Sequence, residues 1–286
     1  EDQITQQGVI RVVYHNTLSD STFYDDTDGF FEVRPQLDVV LRNDSSIAEL
    51  DYTGQPTSLV QIDYDGDGDQ DMLVCQDDAG QIYENETIVS GAEAPRYVDK
   101  SFEVFSNDWP DPGSTGAIVA DFDNSARANG SPTSDVFVAH HSSPRLYSNN
   151  GSSMDDVTTS MGLAGADSSW SASWGDFDRD GRLDLYVCRA DQGSSADPAT
   201  TLTGAVDKLY LNRTASDEGF VLSTAVAPLL DLPTVSTTAA WCDYDGDGDQ
   251  DLFVPALDSS GPTRLLVNAD DGTMTIYYGA ADRICA

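Results

Sequence analysis

Apolar residues in this chain fall in short runs, and no long stretch repeats them at helical spacing. The clearest runs are Met72-Leu73-Val74, Val136-Phe137-Val138, Leu185-Tyr186-Val187 and Leu252-Phe253-Val254, each entered directly from an aspartate. Runs of this length, bounded by Asp, Gly and Ser, predict strands. A second set ends on asparagine: Gln81–Asn85, Arg145–Asn149, Lys208–Asn212 and Arg264–Asn268. Closing strands are predicted at Tyr97–Phe105, Met154–Thr158, Gly219–Ala225 and Thr273–Tyr278. Asp207–Leu211 and Val226–Leu230 are the only helix-like stretches, and both are too short to count.

The pattern repeats. Acidic loops begin at Asp63, Asp121, Asp176 and Asp243, so successive units are 58, 55 and 67 residues long. Each reads strand, acidic loop, strand, linker, strand, strand. Four short strands at a regular period predict an all-β protein, a β-propeller of four-stranded blades. Five blades in one domain, 1–286, are expected at 20–57, 58–115, 116–170, 171–237 and 238–280. The first includes a degenerate loop at Asp26-Thr27-Asp28-Gly29, a strand at Leu37–Leu41 and its continuation from Ile47 to Tyr52. The apolar segment Gly8–Tyr14 precedes it and is expected to complete the first or last blade, because closure removes an open sheet edge.

The loops carry the chemistry. Asp63, Asp65, Asp67, Asp69 and Asp71 recur as Asp243, Asp245, Asp247, Asp249 and Asp251, in a nine-residue sequence that is identical in both places. Asp176, Asp178, Asp180, Arg182 and Asp184 keep the pattern with arginine at position 7. Carboxylates at positions 1, 3, 5 and 9 around a glycine at position 6 offer the hard oxygen ligands that Ca²⁺ takes. Position 7 is expected to add its backbone carbonyl. An EF-hand would place glutamate at position 12 and then a helix; here position 12 is Val74, Val187 or Val254, inside a strand. The second loop, Asp121-Phe122-Asp123-Asn124, is broken by the insertion Ser125–Ser134 before Asp135. A weaker site is expected there, with Asn129 replacing the third carboxylate.

These repeats resemble the FG-GAP/VCBS family, the Ca²⁺-binding blades of integrin α-subunits. Arg145-Leu146-Tyr147-Ser148-Asn149-Asn150-Gly151, Asp156-Val157-Thr158, Gly162-Leu163-Ala164 and Trp174-Gly175-Asp176-Phe177-Asp178 are most similar to the cartilage-acidic-protein type. The resemblance covers about residues 58–278. It implies an extracellular, adhesive module and names no ligand; such blades also accompany polysaccharide-active enzymes.

Composition narrows the partners. Fourteen basic residues stand against 50 acidic ones, for a formal net charge of −36. That excess opposes nucleic acid, which needs basic phosphate contacts, and unaided docking on anionic lipid. It suits a salty, Ca²⁺-rich medium that screens self-repulsion. No apolar run approaches a membrane span. The chain starts at Glu1 with no visible leader, and so is expected to be mature or excised.

Cys75, Cys188, Cys242 and Cys285 lack metal-like spacing, and their even number fits an oxidising compartment with three possible pairings. At least one disulfide is expected, preferably Cys242–Cys285, which would anchor the C-terminal tail; buried free thiols are the alternative. Glycosylation acceptor sequences stand at Asn43, Asn85, Asn129, Asn150 and Asn212. Three of them, at Asn85, Asn150 and Asn212, fall where the repeat could want asparagine for a turn.

The expected function is an extracellular, calcium-stabilised adhesion, interaction or structural module, not an enzyme. Its partners would be a protein or glycan surface, or copies of itself in a surface filament. The alternative is a polysaccharide lyase or hydrolase using His140, His141, Arg145 and Tyr147 to abstract a proton and neutralise a uronate. Trp174 and Trp241 are expected to pack between blades. Trp109 and Trp170, in Pro/Gly/Ser-rich linkers, are the aromatics expected on a binding surface.

Overall fold

The structure, a computed structural model, describes residues 10–16, 21–27, 56–76, 80–86, 96–105, 109, 113–126, 130, 132–164, 168–192, 202–204, 206–230, 235–256, 262–269 and 273–278. The chain divides into two units, Glu1–Asn43 and Asp44–Ala286. In the first, β1 (Ile10–Asn16) and β2 (Ser21–Thr27) form an antiparallel hairpin with Ile10 opposite Thr27. The predicted closing segment therefore pairs with its immediate neighbour in sequence. Asp28, Gly29 and the strands expected from Leu37 to Tyr52 lie outside the described residues.

The second unit is built from four four-stranded antiparallel sheets, the blades of a β-propeller fold. Blade A holds β3 (Pro56–Ile62), β4 (Asp71–Gln76), β5 (Gln81–Asn85) and β6 (Tyr97–Asp99). It is followed by the helix α1 (Ser101–Phe105). Blade B holds β7 (Ser114–Ala120), β8 (Asp135–His140), β9 (Arg145–Asn149) and β10 (Met154–Asp156). Blade C begins with β11 (Ser171–Gly175) and β12 (Asp184–Cys188). A small hairpin, β13 (Ala190–Gln192) with β14 (Leu202–Gly204), then intervenes before β15 (Lys208–Asn212) and β16 (Phe220–Leu222) complete the sheet. The helix α2 (Ala227–Leu230) leads to blade D: β17 (Ala240–Cys242), β18 (Asp251–Val254), β19 (Arg264–Ala269) and β20 (Thr273–Tyr278). All four sheets take their strands in chain order, so blade D is filled by its own segments. No helix among the described residues is long and apolar enough to cross a membrane.

Blade stacking explains the unbroken apolar runs. In β8, Val136 and Val138 pack towards blade A with Leu73 and Ile82, while Phe137 and Ala139 pack towards blade C with Leu185 and Val187. In β12, Tyr186 and Cys188 turn the other way, onto Leu252 and Leu266 of blade D. Side chains of a strand point alternately to its two faces. A strand covered on both faces is apolar at every position. Each fully buried large side chain contributes roughly 1.5–3 kcal/mol, so the inter-blade clusters are the main source of cohesion.

The fourth strand predicted at Tyr97–Phe105 is shorter. Asp99 Oδ1 accepts from the Ser101 N–H at 2.9 Å and from its hydroxyl at 2.5 Å, which turns the chain into α1. That helix buries Val104 and Phe105 in the A–B cluster.

Candidate metal centres

Every acidic loop joins the first and second strands of a blade. Ile62 lies opposite Asp71, Ala120 opposite Asp135, Gly175 opposite Asp184 and Cys242 opposite Asp251. The position 9 aspartate is therefore the first residue of the second strand, and in all four blades it is fully buried. One of its oxygens accepts the N–H of position 2: Tyr64 at 3.0 Å, Phe122 at 3.0 Å, Phe177 at 2.9 Å and Tyr244 at 2.7 Å. The other accepts the N–H of the asparagine on the third strand: Asn85, Asn149 and Asn268 at 2.8 Å, Asn212 at 2.7 Å. This carboxylate ties three strands together. Burial pushes the Asp71, Asp135 and Asp184 carboxyls up to about 7, although both backbone N–H groups pull them down.

Positions 1, 3 and 9 converge. Asp63, Asp65 and Asp71 each offer a ligand oxygen, and these lie within 4.8 Å of one another; so do those of Asp121, Asp123 and Asp135, of Asp176, Asp178 and Asp184, and of Asp243, Asp245 and Asp251. The loop turns sharply at two left-handed positions. Position 6 is glycine in three loops, with φ of 94° at Gly68, 83° at Gly181 and 94° at Gly248. Position 4 is left-handed too, at Gly66, Asn124, Arg179 and Gly246, a feature not anticipated from the glycine at position 6 alone.

Position 5 stands apart from these clusters. Asp67, Asp180 and Asp247 turn back to accept the N–H of position 7, at 3.0, 2.9 and 3.1 Å. Position 7, expected to add its backbone carbonyl, also places a buried carboxylate at Asp69 and at Asp249. Neither oxygen of Asp69 has a hydrogen-bond partner, and burial first, then its acidic neighbours, pushes its carboxyl up to about 6. Asp121 Oδ1 and Asp178 Oδ1 are likewise buried without a partner. Leaving such an acceptor unsatisfied costs about 1–3 kcal/mol, more when it is charged. A cation would satisfy these oxygens, so each cluster could hold a metal ion, and an all-oxygen donor set fits Ca²⁺.

The insertion in blade B does not disturb its cluster. The Ser125 and Thr133 hydroxyls hydrogen-bond to each other, and Ala126 bridges to Pro132, which ties the two ends of the insertion together. Ser148 Oγ donates to Asp123 Oδ2 at 3.1 Å. Asn129 lies outside the described residues.

Other sequence-predicted residues are placed as follows. Asn212 is a correction: it is fully buried, and its side-chain nitrogen donates to Phe122 O at 2.8 Å and Leu183 O at 3.1 Å, leaving no room for a glycan. Asn150 is exposed and Asn85 half-buried; Asn43 lies outside the described residues. Cys75 and Cys188 are free buried thiols in the A–B and C–D clusters, not disulfide partners of each other. Cys242 is exposed, and its expected partner Cys285 is outside the described residues.

His140 is buried, and its Nδ1 accepts the N–H groups of Ser142 at 3.1 Å and Ser143 at 3.0 Å. Arg145 pairs with Asp156 at 2.6 Å, and Tyr147 is fully buried in the A–B cluster. Trp174 stacks on Phe122 of blade B at 6.3 Å. Trp241 lies against Gly175 of blade C, where an added Cβ would sit 2.5 Å from its ring. Trp109 is packed rather than displayed, 4.5 Å from Phe105 and stacked at 6.0 Å on Tyr147. Trp170 lies 5.6 Å from His141 and lines a cavity of about 190 Å³ with Thr57, Thr115 and Ser171.

Residues 127–187, running from the blade B insertion through β12, match the family model described as FG-GAP-like repeat. No curated protein matches the chain. Among solved structures, an Agrocybe aegerita lectin described as recognising non-reducing terminal N-acetylglucosamine is similar over 76% of this chain and 50% of its own, at 17% identity and a TM-score of 0.43. This chain thus spans about half the length of that lectin.

Proposed function

We propose that the protein is an extracellular interaction module whose stacked blades are stabilised by Ca²⁺. The observation that carries this reading is the recurrence of one carboxylate triad at the same place in four blades, with buried oxygens left unpartnered at Asp69, Asp121 and Asp178. Bound at a hairpin tip, a cation would neutralise carboxylates that otherwise oppose folding, so metal binding and folding would be coupled. A Ca²⁺-rich medium outside the cell suits both the loops and the net charge of −36.

Adhesion to a protein or glycan surface, or assembly of copies into a surface filament through a heterologous contact, is the use we assign to this scaffold. A non-enzymatic role is supported by the engagement of His140, Arg145 and Tyr147 in a turn, an ion pair and the core. Elemental analysis and thermal denaturation with and without chelator test the metal. Bound calcium and a lower melting temperature on chelation are expected; no calcium and an unchanged melting curve would overturn the reading. Binding to arrayed glycans and cell-surface proteins, with imaging of native material for filaments, tests the use. Turnover of a uronide polymer would favour the lyase instead.

A further inference from the structure

We propose that Arg213, assisted by Arg182, is a built-in countercation of the blade C loop, which therefore stands without metal and binds Ca²⁺ more weakly than the loops of blades A and D. This rests on the calcium reading of the loops. Arg213 Nη2 lies 2.6 Å from Asp178 Oδ2, and its Nη1 lies 3.1 Å from Asp180 Oδ2. Arg182 pairs with the same Asp180 oxygen and donates its Nε–H to Asn212 O at 3.1 Å. Two guanidinium groups thus face the carboxylates of positions 3 and 5.

The third strands of the other blades are not followed by arginine. The residue after the third-strand asparagine is Glu86 in blade A, Asn150 in blade B and Ala269 in blade D. Position 7, Arg182 here, is a buried aspartate at Asp69 and Asp249. The loops of blades A and D carry five aspartates each, whereas the blade C loop carries four together with Arg179 and Arg182, and Arg213 stands beside it.

Arg213 holds Asp178 Oδ2, while Asp178 Oδ1 is buried without a hydrogen-bond partner, and Asp178 belongs to the cluster with Asp176 and Asp184. A cation can reach that oxygen without expelling the guanidinium. It then sits beside a positive charge, and like charges a few ångströms apart repel. The same guanidinium lowers carboxylate repulsion when no metal is bound.

Ca²⁺ titration of the full chain, stripped of metal, tests this. Arg213→Gln should tighten one of the Ca²⁺ sites weaker than those of blades A and D by about tenfold, the scale of one partly screened charge, and lower the melting temperature of the metal-free protein. Adding Asp178→Asn should abolish the gain, which locates it in blade C. Ala269→Arg places the same cation beside the blade D loop and should weaken one tight site by about tenfold, whether or not Arg213→Gln folds. Unchanged or weaker binding in Arg213→Gln would show that the guanidinium merely orients Asp178, and would overturn the proposal. So would unchanged affinity in Ala269→Arg. Absence of Ca²⁺ binding to any loop would overturn the calcium reading itself, and is distinguished by showing no sites in the unaltered chain.

Discussion

The side-chain nitrogen of Asn212 donates to the carbonyl oxygen of Phe122, 2.8 Å away and 90 residues earlier. Phe122 is position 2 of the blade B loop, and Asn212 ends the third strand of blade C. The same bond links Asn149 to Tyr64 and Asn268 to Phe177, both at 2.8 Å. Each of these asparagines also donates its backbone N–H to the position 9 aspartate of its own blade. Successive acidic loops are therefore joined by a continuous set of hydrogen bonds, Tyr64–Asn149–Asp135–Phe122–Asn212–Asp184–Phe177–Asn268–Asp251.

Asn212→Ala should destabilise the fold by about 2 kcal/mol or more, because it orphans the buried carbonyl of Phe122 and weakens the hold on Leu183. Urea denaturation measures this. The same burial excludes a sugar: glycopeptide mass spectrometry of native material should find Asn212 unmodified, even where the exposed Asn150 is occupied. A glycan on Asn212 in folded protein would refute the placement of this strand end.

Positions 5 and 9 of the loop should respond differently to loss of charge. Asp184→Ala leaves the buried N–H groups of Phe177 and Asn212 without their acceptor, at a cost of about 3 kcal/mol or more in calcium or in chelator. Asp67→Asn, at an exposed position that caps only the N–H of Asp69, should cost less than about 1 kcal/mol in chelator. Equal losses would mean that position 9 is no more than a metal ligand.

The raised carboxyls set a pH dependence whose sign is opposite to that of ordinary salt-bridged aspartates. Asp71, Asp135 and Asp184 move from 3.8 up to about 7 in the folded chain. Between those limits the native state binds more protons than the unfolded one, so stability falls as pH rises. Metal-stripped protein should therefore melt at a lower temperature at pH 8 than at pH 5. Saturating calcium, which favours the ionised carboxylates, should remove or reverse the trend. The same slope with and without calcium would separate these aspartates from any cation.

Gly175 owes its identity to the neighbouring blade. A Cβ there would meet three atoms of the Trp241 indole at 2.5–2.6 Å, closer than real side chains pack. Gly175→Ala should cost about 1–3 kcal/mol, and Gly175→Ala with Trp241→Leu should recover part of the loss. Thermal denaturation of the pair reads the coupling; simple additivity would mean that the ring and the glycine do not touch.

The strands and the positions of the acidic loops were legible from the sequence because both are local signals. Val136-Phe137-Val138 and Leu185-Tyr186-Val187 are apolar at every residue since both faces of the strand are covered. The spacing of Asp63, Asp65 and Asp71 is a property of one turn. Their recurrence at Asp121, Asp176 and Asp243 made the repeat visible even through the insertion at Ser125–Ser134. What the tertiary structure alone decided involves groups far apart in sequence. Asn212 satisfies the acceptor motif for a glycan, yet its nitrogen is spent on a carbonyl 90 residues away. Trp109, in a linker that reads as exposed, is captured by Phe105 of α1 and Tyr147 of blade B. Arg213 lies 35 residues from Asp178 and reaches it only because the third strand ends beside the loop. A local pattern reveals which residues share a turn or a strand face; which turn meets which strand end is set by the packing of blades, where burial and hydrogen bonds between distant segments outweigh local preference.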